Sequence, residues 1–132
     1  EYRQVKGCRE RYPDPYFQIH PETAANLGIG DAMWCWIETL RGKCLQRAKL
    51  DSGIMPQVVS AQHGWWFPEE DGNEPNLYGN FRCNINNLLP NGHVGKLGFG
   101  APNKCLICNI EPVSESYDTD MAVVWEKFGK LV

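Results

Sequence analysis

Short strands joined by many turns and closed into a barrel are the fold this sequence predicts, and three observations carry that expectation. Thirteen glycines and nine prolines exceed what a helical bundle tolerates. The apolar stretches are about seven residues long, the length of a strand and not of a core helix. One of them, 44–50, alternates apolar and polar side chains with period two, as a half-buried strand does. Six or so such strands favour a closed barrel over a sandwich. The predicted class is all-β, a β-rich chain with two short helices and one long loop of ligand size.

The elements follow in order. Residues 1–15 are basic and polar and end in Pro13-Asp14-Pro15, which predicts an extended lead-in, because each proline biases its predecessor away from helix. Tyr16-Phe17-Gln18-Ile19 is a short strand. Pro21 to Gly28 carries helix punctuation, with proline at the first position, Glu22 in the first turn and glycine at the end. Residues 33–39, with Trp34, Trp36 and the β-branched Ile37 and Thr39, form a strand. Residues 40–43 turn the chain, and 44–50 returns antiparallel. After a turn at Asp51-Ser52-Gly53, residues 57–61 make a third strand of this run. From His63 to Lys104 the chain is mostly loop, dense in Gly, Asn and Pro, and a loop of that length in a compact domain usually serves function. Residues 105–111 are a closing strand. Residues 119–130 pattern as a helix with Met121, Val124, Trp125 and Phe128 on one face.

The 132 residues suit one domain, with 42% hydrophobic and 22% charged residues. A formal net charge of −3 argues against nucleic acid as a partner, which would call for a basic face. No apolar run approaches the ~18 residues that span a bilayer, so no direct membrane segment is expected. The chain begins at Glu1 with no secretory pattern, and is expected to start inside a longer polypeptide. Six cysteines permit three disulfides, but without secretory features buried reduced thiols in a cytoplasmic protein are the expectation.

Independent catalysis finds little support. The serines stand in no nucleophile elbow, and no zinc-protease, phosphate-loop or dinucleotide fingerprint is present. Gly95 to Gly100 shares only glycine content with a phosphate loop. Cys105 and Cys108 are spaced C-x-x-C, yet no second pair accompanies them. Within an apolar strand, residues three apart face opposite sides, so packing is the expectation and metal binding is not. What remains is a binding constellation. His63-Gly64-Trp65-Trp66-Phe67-Pro68 supplies flat apolar surface, and Asn84, Asn86 and Asn87 supply paired donors and acceptors suited to a pterin or purine edge. Arg3 and Lys104 suit phosphates.

Several stretches then fall in a familiar order. Ile19-His20-Pro21-Glu22-Thr23-Ala24 to Leu27-Gly28-Ile29, Trp34-x-Trp36-Ile37-Glu38-Thr39-x-Arg41-Gly42, His63 to Glu69, and Asn84-x-Asn86-x-Leu88 resemble the C-terminal molybdopterin-dinucleotide-binding domain of the dimethyl sulfoxide reductase superfamily. Tyr2-Arg3-Gln4 and 9–15 resemble its opening. The resemblance covers about residues 1–111 and implies a double-psi β-barrel. It makes 1–132 one such domain, with a lead-in at 1–15 and a tail at 112–132, cut from a larger catalytic subunit and not catalytic alone. The implied cofactor is a pair of molybdopterin guanine dinucleotides with molybdenum or tungsten, held mainly by other domains. The implied partners are those domains, with an iron–sulfur electron-transfer subunit allowed, and some relatives are exported to the periplasm.

Residue by residue, Asn86 matches the family's cofactor asparagine and Lys104 a lysine that reaches the cofactor in some relatives. Arg3 and Gln4 follow the family's cofactor loop, and His63 and Trp65 match positions near the cleft. Three departures stand out. Asp31-Ala32 replaces the family's Gly-Asp turn, 90–102 lacks the acidic pattern, and 112–132 matches nothing. The wording around Trp36 and Trp65 leans toward polysulfide or thiosulfate reductases and acetylene hydratase. The competing reading is a free-standing barrel with Trp34, Trp36, Trp65 and Trp66 as a platform for carbohydrate.

Overall fold

The computed structural model describes residues 2–90 and 106–113. Lys104, Cys105, the glycine-rich 95–100 stretch and the expected helix at 119–130 lie outside the described residues.

The chain forms a helix α1 (Lys6–Arg11), then strand β1 (Tyr16–Ile19) and helix α2 (Pro21–Asn26). Strands β2 (Trp34–Thr39), β3 (Gly42–Leu50) and β4 (Val59–Ala61) follow. A 3-10 turn at Leu77–Gly79, helix α3 (Asn80–Cys83), a second 3-10 turn at Ile85–Leu88 and strand β5 (Asn109–Pro112) complete the described elements.

The lead-in is therefore not extended throughout. Proline restricts only the residue before it, and Tyr12 obliges with φ −134° and ψ 80°. Upstream of that point nothing opposes helix. Arg9 and Arg11 sit in the last turn of α1, where positive charge suits the helix dipole. Helix α2 matches its punctuation, with Pro21 at the start, the His20 side chain accepting from the Glu22 amide, and Gly28 at φ +70° just beyond.

Five strands join in one sheet of order β4-β1-β3-β2-β5. β2 and β3 pair antiparallel from Trp34↔Arg47 to Thr39↔Gly42, leaving only Leu40 and Arg41 as the hairpin turn. β1 pairs parallel with β3, and β4 returns antiparallel to β1, not to β3. Strand lengths run from three to nine residues, less uniform than the expected seven. The closing strand starts at Asn109 and not at 105, because its partner β2 stops one residue past the Glu38↔Asn109 pair. Leu106 and Ile107 are exposed, and Cys108 precedes the strand. Among the described residues the ladder runs from β4 at one edge to β5 at the other: a mixed, β-rich sheet with short helices.

Phe17, Ile19, Cys35, Ile37, Cys44 and Ala48 project from β1, β2 and β3 into one core, joined by Ala24 of α2 and by Leu88. Phe17 and Ile19 are fully buried, which stabilises by about 1.5–3 kcal/mol each. Arg47 fastens the lead-in to the sheet. Its Nη1 meets Asp14 Oδ2 at 2.5 Å, its Nε donates to Ala32 O at 2.9 Å, and its guanidinium lies 5.6 Å from the Trp34 ring. Ala32 itself takes φ +61°, left-handed backbone, at the turn that leads into β2.

Candidate functional site

The segment expected to be a functional loop folds back on itself. Gln46, buried at the middle of β3, holds the segment at its start and its middle: its Nε2 donates to Gln62 O at 2.9 Å and to Cys83 O at 3.2 Å. Between those anchors Phe67 N–H donates to Tyr78 O and Tyr78 N–H to Asp71 O, while Arg82 pairs with Glu70. Leu77, Tyr78 and Gly79 are successively left-handed, at φ 45°, 58° and 68°. At the last, glycine avoids both the left-handed penalty and a Cβ that would lie 3.0 Å from Phe67 Cδ2.

Arg3, His63 and Trp65, three of the residues singled out in the sequence, surround one cavity of about 340 Å³. Tyr2, Cys8, Tyr12 and Gln62 complete its wall. Arg3 is buried, and its donors are directed inward to the protein. Nε donates to Trp66 O at 3.2 Å, Nη1 to Tyr12 O at 2.6 Å and Nη2 to Pro13 O at 3.2 Å. The guanidinium also lies 4.3 Å from the Trp65 ring centroid, a cation–π contact. Burial pulls the Arg3 guanidinium below its ordinary value, and the Glu69 carboxylate opposes that shift. Arg3 thus clamps the lead-in onto the His63–Pro68 segment. Trp65 Nε1 is buried without a hydrogen-bond partner among the described residues. His63 is exposed. Gln4 is exposed as well and lines neither this cavity nor the next.

Asn86 lines a second cavity of about 330 Å³, between the β2–β3 hairpin tip and the second 3-10 turn. Arg41, Lys43, Phe81, Asn87 and Leu89 share its wall. Thr39 Oγ1 donates to Leu88 O at 3.2 Å and locks the hairpin against that turn. Lys43 Nζ sits 4.6 Å from the Trp36 ring centroid. The three clustered carboxamides differ in what they do. Asn84 Oδ1 accepts from the Asn86 amide and from the Gly64 amide, each at 3.1 Å, and Asn87 Nδ2 donates to Asn80 O at 2.9 Å. Asn86 alone of the three presents an exposed carboxamide with no side-chain bond to the described residues.

Cys35, Cys44 and Cys83 are free and buried, and burial pushes the thiols of Cys35 and Cys44 up to about 12 and that of Cys83 further up. Cys8 is free but exposed, against the expectation of burial, because α1 buries none of its residues. Among the described residues the tryptophans form no exposed row for carbohydrate: Trp34, Trp36 and Trp65 are all buried, and Trp66 packs edge-on against Tyr78 at 5.4 Å. Trp36 is covered by Lys43 and Trp34 by Arg47, on the face of β2 opposite Cys35 and Ile37. Arg41, Lys43 and Phe81 escaped the sequence reading as site residues. The Thr39-x-Arg41-Gly42 stretch was a signal for the hairpin tip, but nothing in the order of residues brings it beside Asn86. No helix among the described residues is long and apolar enough to cross a membrane.

Comparison with known proteins follows this geometry. The sequence model described as molydopterin dinucleotide binding domain matches residues 1–98. Dopamine dehydroxylase of Eggerthella lenta is 45% identical over 69 residues, which are 52% of this chain and 7% of that protein. Acetylene hydratase of Syntrophotalea acetylenica is 35% identical over 71 residues, 54% of this chain and 10% of that protein. The structure of acetylene hydratase from Pelobacter acetylenicus superposes with a TM-score of 0.75 at 27% identity, covering 83% of this chain and 16% of that one. The matched part of the chain thus spans 7–10% of the length of these curated relatives.

Proposed function

The chain belongs to the molydopterin dinucleotide binding domain family, represented in the dimethyl sulfoxide reductase superfamily, and from that premise we propose that it holds a molybdopterin guanine dinucleotide through Asn86. The observation that carries the residue is the exposed Asn86 carboxamide, left without a bond to the described residues while Asn84 and Asn87 are engaged. A carboxamide offers a donor and an acceptor together, which matches the mixed edge of a pterin or guanine. Arg41 and Lys43 on the same wall bring positive charge to suit a diphosphate, and Phe81, 45% exposed, offers a ring face. These residues fit the group. Lys104 is proposed as a second contact, with Gln4 and His63 as further ones. In this reading Arg3 and Trp65 act by shaping the cavity wall beside them.

When bound, the pair of dinucleotides supplies the sulfur ligands of a molybdenum or tungsten ion, and that ion carries the reaction. This chain contributes binding and orientation. We infer that residues 1–132 are one domain of a larger catalytic subunit, which the small share of each relative that it covers supports. The proposed barrel is of double-psi type, supported by the likeness to acetylene hydratase. The parent subunit is proposed to be acetylene hydratase-like before polysulfide or thiosulfate reductase-like, with a cytoplasmic location that suits reduced thiols.

Elemental analysis of the native full-length polypeptide tests the cofactor. One molybdenum or tungsten per chain is expected, and iron would add a cluster and an electron-transfer partner. Neither metal in freshly isolated protein would overturn the reading. For Asn86, replacement by Ala in the full-length polypeptide should lower pterin and metal content together, and full occupancy would remove the assignment.

A further inference from the structure

Asn84 holds three segments with one carboxamide. Its Oδ1 accepts from the Gly64 amide at 3.1 Å and the Asn86 amide at 3.1 Å, and its Nδ2 donates to Asn80 Oδ1 at 2.6 Å. A carbonyl oxygen has two lone pairs, so the two amides do not compete for it. The residues so tied flank or carry two exposed polar side chains. His63 precedes Gly64 and lines the first cavity, while Asn86 lines the second. Asn84 itself is half-buried and lines neither cavity. Gln46 ties neighbouring backbone at Gln62 O and Cys83 O, whereas Asn84 accepts from the Asn86 amide itself.

We propose that Asn84 is a positioning residue for the dinucleotide, its side-chain oxygen setting Asn86 and the His63–Gly64 backbone in one fixed relation so that the two cavities act as a single site. The proposal rests on the reading that Asn86 touches the cofactor. It follows that the acceptor oxygen, and not the bulk or the amide nitrogen, is what matters at position 84. Asn84→Asp keeps that oxygen, and Asn80 can turn its own carboxamide to donate to the new carboxylate. Asn84→Ala removes the oxygen and releases both amides.

The experiment uses the full-length polypeptide loaded with its native cofactor, in four variants: N84A, N84D, N86A and N84A/N86A. Cofactor release is followed by the fluorescence of the freed, oxidised pterin, with metal content measured alongside. N84A is expected to speed release about tenfold, near 1.4 kcal/mol, and N84D to return it to within about twofold of the parent. Because Asn84 acts in part through Asn86, the double variant should release clearly more slowly than the product of the two single effects, whereas independent roles would multiply. Multiplying effects, or parent-like release from N84A beside fast release from N86A, overturn the positioning role and leave Asn86 standing. Parent-like release from N86A overturns the reading of Asn86, and this proposal with it. If N84A does not accumulate, N84D decides: near-parent release supports the role of the oxygen and a tenfold rise overturns it.

Discussion

The two cavities are similar in volume and opposite in character. Around the first, the charged group is already engaged: Arg3 directs its donors to three backbone carbonyls and sits over the Trp65 ring. Around the second, Arg41 and Asn86 are exposed on the hairpin tip and the facing turn. Each wall has one of the residue types that suggested ligand binding in the sequence. The difference shows that an arginine beside a cavity can be the structural tie of that cavity, while a plain asparagine nearby remains open to a ligand. Availability, and not residue type, separates the two.

The largest effect should come from removing the tie. Arg3→Ala leaves three carbonyls without their donor and should destabilise the chain by about 3 kcal/mol, read by urea unfolding. Arg3→Lys should recover only part, because an ammonium cannot reach three diverging carbonyls as a fork does. A loss below about 0.5 kcal/mol in R3A would make Arg3 as available as Asn86 and erase the contrast.

The buried thiols should make stability depend on alkaline pH. Cys35 and Cys44 are pushed up from 9.0 to about 12 by burial, so above pH 9 the unfolded chain releases protons that the folded chain keeps. Stability is unaffected below that pH and falls as pH rises toward 12, by about 1.4 kcal/mol per pH unit for each thiol. Cys44→Ala should make that slope shallower. Alkylation of the folded chain should mark exposed Cys8 first and the buried thiols only on unfolding.

A smaller change lies outside both cavities and serves as a control. Ala32 at φ +61° carries left-handed strain, and Ala32→Gly should raise stability by about 1 kcal/mol without altering cofactor content. The smallest stability effect belongs to Asn86. Its replacement by Ala should move unfolding by less than about 0.5 kcal/mol while depleting the cofactor. Stability and occupancy falling together would place Asn86 among the structural ties, alongside Arg3.

Much of the sheet was readable from local pattern. The β2–β3 hairpin followed from two apolar runs about a turn read at 40–43, which the structure tightens to Leu40 and Arg41, and α2 from its proline and glycine, because these depend on neighbours in sequence. Helix α1 was missed because two downstream prolines were allowed to speak for residues that they do not touch. The pairing of β1 with β3 instead of its sequence neighbours, and the late start of β5, depend on where a partner strand ends.

Period-two alternation, turn residues and the ordered series of motifs determined by themselves that the chain is β-rich and belongs with the molybdopterin dinucleotide binding domains, since each is a property of short stretches. Tertiary structure decided which polar groups remain to meet a ligand. Asn84, Asn86 and Asn87 are the same side chain within four positions, and their hydrogen-bonding capacity is identical in an extended chain. Only folding brings the Gly64 amide to Asn84 and the Asn80 carbonyl to Asn87, and leaves the Asn86 carboxamide beside the hairpin tip without a bond to the described residues.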